Sequence, residues 1–157
     1  TLDRQPPTNA VERQCASREK VLNHVAVAYA DSNLAQSPDP FDVVTFASTN
    51  SCPIVLMDTF HKTNGTLLDV LPLTTIRDFI QAVHMCQMQV AIAGSLNERA
   101  IEQLLPLAPD IIAVRGAACR TDRTSAIDPA NTRRLFEMIT QHNSDSGKRN
   151  ISAKSPC

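Results

Sequence analysis

Hydrophobic residues in this chain fall into short, continuous runs that stand well apart along the sequence. The four runs cover residues 24–31, 53–58, 89–94 and 110–116. A short continuous apolar run is typical of a strand that is covered on both faces. We therefore predict four buried β-strands.

Segments with helical periodicity lie around and between these runs. The clearest covers 71–87, where apolar residues recur at i, i+3, i+4 and i+7 of one helical face. Those residues are Ile76, Phe79, Ile80 and Val83. Further helices are predicted at 9–20, 41–50, 97–107 and 128–142, and a loop at 32–40.

The regular alternation of strand and helix predicts an α/β protein whose strands form a parallel sheet. Both a doubly wound sheet and part of a (β/α)8 barrel have this order of elements. A complete barrel usually needs about 250 residues, whereas this chain has 157. We expect a lead-in and helix at 1–20, a (β/α)4 region at 21–143 and a disordered polar tail at 144–157.

Composition narrows the possible partners. The chain has 15 Lys and Arg against 16 Asp and Glu, a net charge of −1. This balance gives no reason to expect nucleic acid or an anionic membrane as a partner, and no apolar run is long enough for a transmembrane helix. The five cysteines are scattered, which indicates reduced thiols in a cytoplasmic protein rather than disulfides or a metal site.

Polar residues follow each predicted strand, at the edge where parallel sheets bind their ligands. Asp31 ends the first run, and Asp58 ends the second with Lys62 four residues later. Asp58 could orient a lysine or transfer a proton, and Lys62 could hold a phosphate, tune another amine or form an imine. Alternatively, the two aspartates cap loops and Lys62 is a solvated loop residue. We take Asp58, Lys62 and Asp31 as the candidate catalytic residues.

The third and fourth runs end in glycine turns. Gly94 and Ser95 precede a predicted helix, whose free N–H groups would suit an anion. Arg115 and Gly116 end the fourth run, and a guanidinium can bind a phosphate or carboxylate through two parallel hydrogen bonds. The alternative is a pair of tight turns with an internally paired arginine. We predict a phosphate site formed by Gly94, Ser95, Arg115 and Gly116.

Several motifs closely resemble the (5-formylfuran-3-yl)methyl phosphate synthase family. They are "YAD", "LMDTFHKTNGTLLDVL", "VAIAGSL" and "DIIAVRGAAC" followed by "ID", in order over residues 24–140. The resemblance implies strands five to eight of a (β/α)8 barrel. It implies a lyase that condenses two glyceraldehyde 3-phosphate molecules through a lysine imine, with loss of phosphate and water, for methanofuran-type cofactor biosynthesis. No metal or other cofactor is implied.

The same resemblance assigns roles to two of the candidate residues. Asp58 and Lys62 match an Asp and a Lys of the family's active site. The family's imine-forming lysine follows the first barrel strand, so we expect it outside these 157 residues. On the resemblance we expect this chain to be incomplete as an enzyme and to need an N-terminal half-barrel or a homo-oligomer.

Three hypotheses about function remain open on this basis. The chain is the C-terminal half of a lyase, a non-catalytic phosphate-binding module, or a degenerate half-barrel that pairs as a homo-oligomer. An open parallel sheet leaves one apolar face without a cover, so a partner is expected. Candidate residues for that face are Val25, Val27, Val55, Met57, Ala91, Ala93, Ile112 and Val114.

Overall fold

A computed structural model describes residues 24–63 and 65–152, with the backbone alone for 145–152. The helix predicted at 9–20 lies outside these residues. The strands are β1 (Val25–Tyr29), β2 (Ile54–Asp58), β3 (Gln89–Ile92) and β4 (Ile111–Ile112). They form one sheet in the order β1-β2-β3-β4, and all adjacent pairs are parallel. The predicted α/β fold with parallel strands is confirmed.

Helices alternate with the strands. They are α1 (Ser32–Ala35), α2 (Pro40–Thr49), α3 (Leu67–Val70), α4 (Leu73–Met85), α5 (Glu98–Leu104) and α6 (Pro129–Ser152). The single turn α1 lies where a loop was predicted, and α3 was not predicted at all. Helix α6 continues to Ser152, so the predicted helix end at 142 is wrong, and residues 153–157 of the predicted tail lie outside the described residues. Polar residues there continue the helix because nothing in 143–152 terminates it except one glycine, which costs only about 1 kcal/mol within a helix.

One face of the sheet packs on helices. Helices α2 and α4 lie against β1–β2 and β3 respectively. On this covered face, Val55, Met57 and Ile92 are fully buried. The helices contribute Val44, Ala47, Ile76, Phe79, Ile80 and Val83 to the same core. Burying each large aliphatic side chain is worth about 1.5–3 kcal/mol, so this layer stabilises the fold substantially.

The opposite face of the sheet, which we call the open face, consists of alternate strand residues. It comprises Val25, Val27, Ile54, Leu56, Ala91 and Ile111, in which Val27, Leu56, Ala91 and Ile111 form one register row. Val25 is 48% exposed, Val27 41% and Ile111 40%. The sequence had predicted Val55, Met57 and Ile112 for this face, and that is wrong. An unbroken apolar run has no alternation of polar and apolar residues that would identify the two faces of the strand. An assignment that is wrong by one residue therefore places every side chain on the opposite face.

The register of the sheet brings the carboxyl ends of the strands together. The N–H of Ala30 donates to the carbonyl of Asp58 at 2.8 Å, and the N–H of Ala93 donates to the carbonyl of Met57 at 2.8 Å. Side chains alternate along a strand, so Asp58 lies on the same face as Leu56. A group placed at the end of β2 therefore points over the edge of the open face.

Candidate functional site

A pocket of about 470 Å³ lies at the carboxyl ends of β2, β3 and β4. Its size is in the range of small-molecule sites. It is lined by Asp58, Lys62, Ala93, Gly94, Ser95, Leu96, Asn97, Ala113, Arg115, Gly116, Ala117 and Arg123. The pocket thus brings together six of the seven residues that the sequence singled out, all except Asp31.

Asp58 and Lys62 form an ion pair within the pocket. Asp58 ends β2, and the loop that follows turns back so that Lys62 Nζ lies 2.6 Å from Asp58 Oδ1. The ammonium group also donates to the backbone carbonyl of Thr59. Asp58 and Lys62 side chains are 25% and 29% exposed, so both remain open to a ligand. The carboxylate and the carbonyl together fix the direction of the lysine.

Gly94 and Ser95 form a left-handed turn after β3. Their φ angles are +107° and +51°. A Cβ on Gly94 would lie 2.9 Å from Leu67 Cβ, so both the backbone conformation and the packing require glycine. Within the described part of the chain, the N–H groups of Gly94 and Ser95 have no hydrogen-bond acceptor. They are free to donate to an anion.

The helix after this turn begins one residue after its predicted start. Helix α5 starts at Glu98 and is capped by Asn97, whose side chain accepts from the N–H of Ala100 at 2.9 Å. One of the N–H groups expected to bind an anion is therefore already satisfied. The donors at this edge come from the Gly94–Ser95 turn rather than from the helix start.

Two arginines lie at the rim of the pocket beside β4. Arg115 Nε donates to the backbone carbonyl of Arg123 at 2.7 Å. Over the two described ranges, neither arginine is in an ion pair. The internal ion pair considered for Arg115 is therefore not present there, and two guanidinium groups remain available. Gly116 begins a short 3₁₀ turn, Gly116–Ala118, without a left-handed φ.

Arg123 is the charged residue of the pocket lining that the sequence analysis missed. An isolated antiparallel bridge between Cys119 and Ile127 closes the loop that carries it, and the N–H of Arg120 donates to the carbonyl of Ala126. This closure folds residues 120–126 back toward the pocket. The available signal was a second arginine eight residues after Arg115, in a loop after the last strand.

Asp31 lies outside the pocket. Its side chain is only 3% exposed. Oδ1 accepts from the N–H of Phe60 at 2.7 Å, and Oδ2 accepts from the N–H of His61 at 2.9 Å. Burial raises the pKa of the Asp31 carboxyl, but these hydrogen bonds outweigh burial and hold the pKa below its ordinary value. The carboxylate is thus a stable anion within the protein.

Other reactive groups do not converge on the pocket. Cys119 is buried and free, and the carbonyl oxygen of its backbone accepts from Asn131 Nδ2 at 2.7 Å. Among the side chains of residues 24–63 and 65–144, no three from His, Cys, Asp or Glu are placed to hold a metal ion. None of the helices in the described ranges is long and apolar enough to cross a membrane.

The chain was compared with known proteins. The sequence model of the 4-HFC-P synthase family matches residues 4–136. The chain is 36% identical to the (5-formylfuran-3-yl)methyl phosphate synthase of Methanococcus maripaludis strain S2 over 104 residues, 66% of this chain and 43% of the relative. The enzyme of the same name from Methanopyrus kandleri is 36% identical over 117 residues, 73% of this chain and 49% of the relative.

A third relative has the same coverage. The synthase of Archaeoglobus fulgidus is 32% identical over 115 residues, 73% of this chain and 49% of the relative. The chain spans about half the length of the relatives it matches. The family match nevertheless covers most of the chain and includes every residue that lines the pocket. The chain therefore belongs to the 4-HFC-P synthase family.

Proposed function

We propose that this chain supplies the triose-phosphate-binding part of a (5-formylfuran-3-yl)methyl phosphate synthase. The reaction condenses two molecules of glyceraldehyde 3-phosphate, with loss of phosphate and water, in methanofuran-type cofactor biosynthesis. The observation that carries the proposal is the meeting of the Asp58–Lys62 pair, the Gly94–Ser95 turn and two arginines in one pocket.

The charges of the pocket favour a phosphorylated ligand. Lys62, Arg115 and Arg123 contribute three cations and Asp58 one carboxylate, which leaves a net charge of +2. A phosphate monoester carries a charge of about −1.5 to −2 near neutral pH. Arginine and backbone N–H groups together can bind its three terminal oxygens through charge-assisted hydrogen bonds. The ligand's carbon chain would then extend over Ala93 and Ala113 toward Asp58.

Lys62 has an electrostatic role in this proposal. An ammonium that donates to a carboxylate and a carbonyl lacks the free electron pair that imine formation needs. Lys62 would instead add to the positive charge that attracts the phosphate and stabilise negative charge on the reacting carbon chain, and Asp58 would hold it in place. The imine-forming lysine would come from the part of the synthase that corresponds to the other half of the relatives.

The same proposal accounts for the open face of the sheet. Val25, Val27 and Ile111 are each at least 40% exposed, although they are apolar. We propose that a (β/α) segment equivalent to the other half of the relatives covers this face and closes a (β/α)8 barrel, on the same polypeptide or on a separate one. A barrel interior is filled by such side chains, and its mouth would join the pocket to the missing lysine.

The binding step is tested by an NMR titration of the 157-residue chain with glyceraldehyde 3-phosphate. We expect the amide signals of Gly94, Ser95 and Gly116 to shift, and no comparable shift with glyceraldehyde, which lacks the phosphate. The Arg115→Gln variant should weaken binding by about tenfold or more, the effect of losing one charge-assisted hydrogen bond.

A matched control lies in the same loop. Arg120 is 67% exposed on its side chain and faces Asp128 at 3.9 Å, outside the pocket. Arg120→Gln removes the same charge and should leave the affinity nearly unchanged. Equal losses in the two variants, or shifts of equal size with glyceraldehyde, would contradict binding in this pocket.

A further inference from the structure

We propose that Asp31 is a positioning residue that holds Lys62 in the pocket, rather than a group that touches the substrate. The inference rests on the proposed function in one respect only, namely that the ligand bound near Lys62 is a phosphate. It starts from the place of the Asp31 carboxylate, which is buried behind the loop 59–63 and does not line the pocket.

Both oxygens of Asp31 are used by this loop. Oδ1 accepts from the N–H of Phe60 and Oδ2 from the N–H of His61, at 2.7 and 2.9 Å. His61 Nδ1 approaches Oδ2 at 3.4 Å. Asp31 is also the N-cap residue of α1, yet its side chain makes no cap hydrogen bond there. The carboxylate therefore bonds across to the end of the neighbouring strand instead of to its own helix.

The two residues whose N–H groups bond to Asp31 lie in the chain between Lys62 and the residue whose carbonyl accepts from the Lys62 ammonium group. The carbonyl that Lys62 Nζ bonds belongs to Thr59, directly before Phe60, and Lys62 directly follows His61. Over the described ranges, Phe60, His61 and Lys62 form no backbone-to-backbone hydrogen bond. The Asp31 carboxylate thus accepts the hydrogen bonds of two of the three backbone N–H groups in the segment that ends at the lysine.

The sequence analysis grouped Asp31 and Asp58 as catalytic candidates, but their contacts with the Lys62 region differ. Asp58 contacts the ammonium group itself at 2.6 Å, whereas Asp31 contacts only the backbone and His61. Loss of Asp31 should therefore change where Lys62 lies while the Asp58 carboxylate and the arginines stay in place. A catalytic role would instead require Asp31 to reach a ligand, from which the loop separates it.

The test uses Asp31→Asn in the 157-residue chain. The variant is almost isosteric, but its NH₂ group would face an N–H donor, so one hydrogen bond is lost. We expect amide exchange at Phe60 and His61 to become about tenfold faster or more. The NMR signal of the Lys62 ammonium group should broaden, since that signal is sharp only when the group is held in hydrogen bonds.

Asp110 offers a matched control at the opposite end of the strands. Its Oδ2 accepts from the N–H of Val90 at 2.8 Å and lies 2.9 Å from His84 Nε2, so it also joins a backbone N–H and a histidine. Asp110→Asn should leave the Lys62 ammonium signal and phosphate affinity unchanged. If both variants broaden that signal equally, Asp31 has only a general structural role and the proposal is wrong.

A double-mutant cycle with inorganic phosphate tests the link to the pocket. Asp31→Asn should weaken phosphate binding in the wild-type background and have no further effect in a Lys62→Met background. An equal loss in both backgrounds would overturn the proposal. If the wild-type chain binds no phosphate, the proposed function fails, while the exchange and ammonium signals still decide the role of Asp31.

Amide exchange in the wild-type chain gives a test that does not require the Asp31→Asn variant to fold. In the wild-type chain, the Phe60 and His61 amides should exchange more slowly than the amide of Thr63 in the same loop, which has no acceptor within the described residues. Equal exchange at all three positions would contradict the proposed clamp.

Discussion

The two faces of the β-sheet have similar amino acids and different surroundings. On the covered face, Val55 and Met57 are fully buried beneath α2 and α4. On the open face, Val25 and Val27 from the adjacent strand are 48% and 41% exposed. Both pairs of residues are apolar, so composition alone does not distinguish the faces.

The difference separates a face that packs on helices of this chain from a face that has no such cover among the described residues. The covered face forms a closed core with the helices, which explains how half of a relative's length can be an organised α/β unit. Among the described residues, Val25, Val27 and Ile111 on the open face stay at least 40% exposed, and contiguous exposed apolar surface commonly marks an interaction site. It adjoins the pocket, since Asp58 continues the line of Leu56.

The largest expected effect comes from a truncation on the covered face. Met57→Ala should lower the free energy of unfolding by about 2–5 kcal/mol, because a fully buried side chain leaves a cavity. Val27→Ala on the open face should change it by less than about 1 kcal/mol. Urea unfolding of both variants measures the difference. Similar losses would show that the open face is already covered, by a second copy for example, which sedimentation would reveal.

A smaller effect is expected at the two glycines of the pocket, only one of which contacts the core. Gly94→Ala should destabilise the fold by about 1–3 kcal/mol, because the positive φ strains any other residue and Leu67 Cβ lies 2.9 Å from the new methyl group. Gly116→Ala should stay within about 0.5 kcal/mol, since the nearest atom, Arg123 Cβ, lies 3.9 Å away. Thermal unfolding of both variants checks this, and equal melting temperatures would contradict it.

The smallest expected effect is on the stability of the fold at acidic pH. It arises from Asp110, which is not a residue of the open face. Burial raises the pKa of Asp110, but hydrogen bonds from Val90 and His84 hold it below its ordinary value. A carboxyl with a lowered folded pKa stabilises the fold above its unfolded pKa of about 3.9, and this contribution is lost as pH falls through the folded value. Asp110→Asn should therefore flatten the loss of stability in acid. An unchanged pH dependence would be inconsistent with this assignment.

Much of the fold could be predicted from the sequence because apolar runs and helical periodicity report burial directly. The presence of four strands, their parallel pairing and the α4 face, with Ile76 and Phe79 buried, all follow from such patterns. Which side chains of each strand face the helices could not be predicted. The run "IVLMD" has no polar position before Asp58 to show whether Val55 or Leu56 faces the helices.

The candidate site was predictable to a similar extent. Asp58 and Lys62 are four residues apart after a strand, so local geometry was enough to bring them together. Arg123 depends on the bridge between Cys119 and Ile127, a contact that leaves no periodic signal. The place of Asp31 depends on hydrogen bonds to residues about thirty positions away, which a strand-end position does not reveal.

The most direct test of the central claim is synthase activity after this chain is combined with the segment equivalent to the other half of a relative. We expect furan aldehyde to form from glyceraldehyde 3-phosphate only when both parts are present, and to be lost with Lys62→Met. Product formed by this chain alone would contradict the account. So would a combination that associates in sedimentation but makes no product, or one that stays fully active with Lys62→Met.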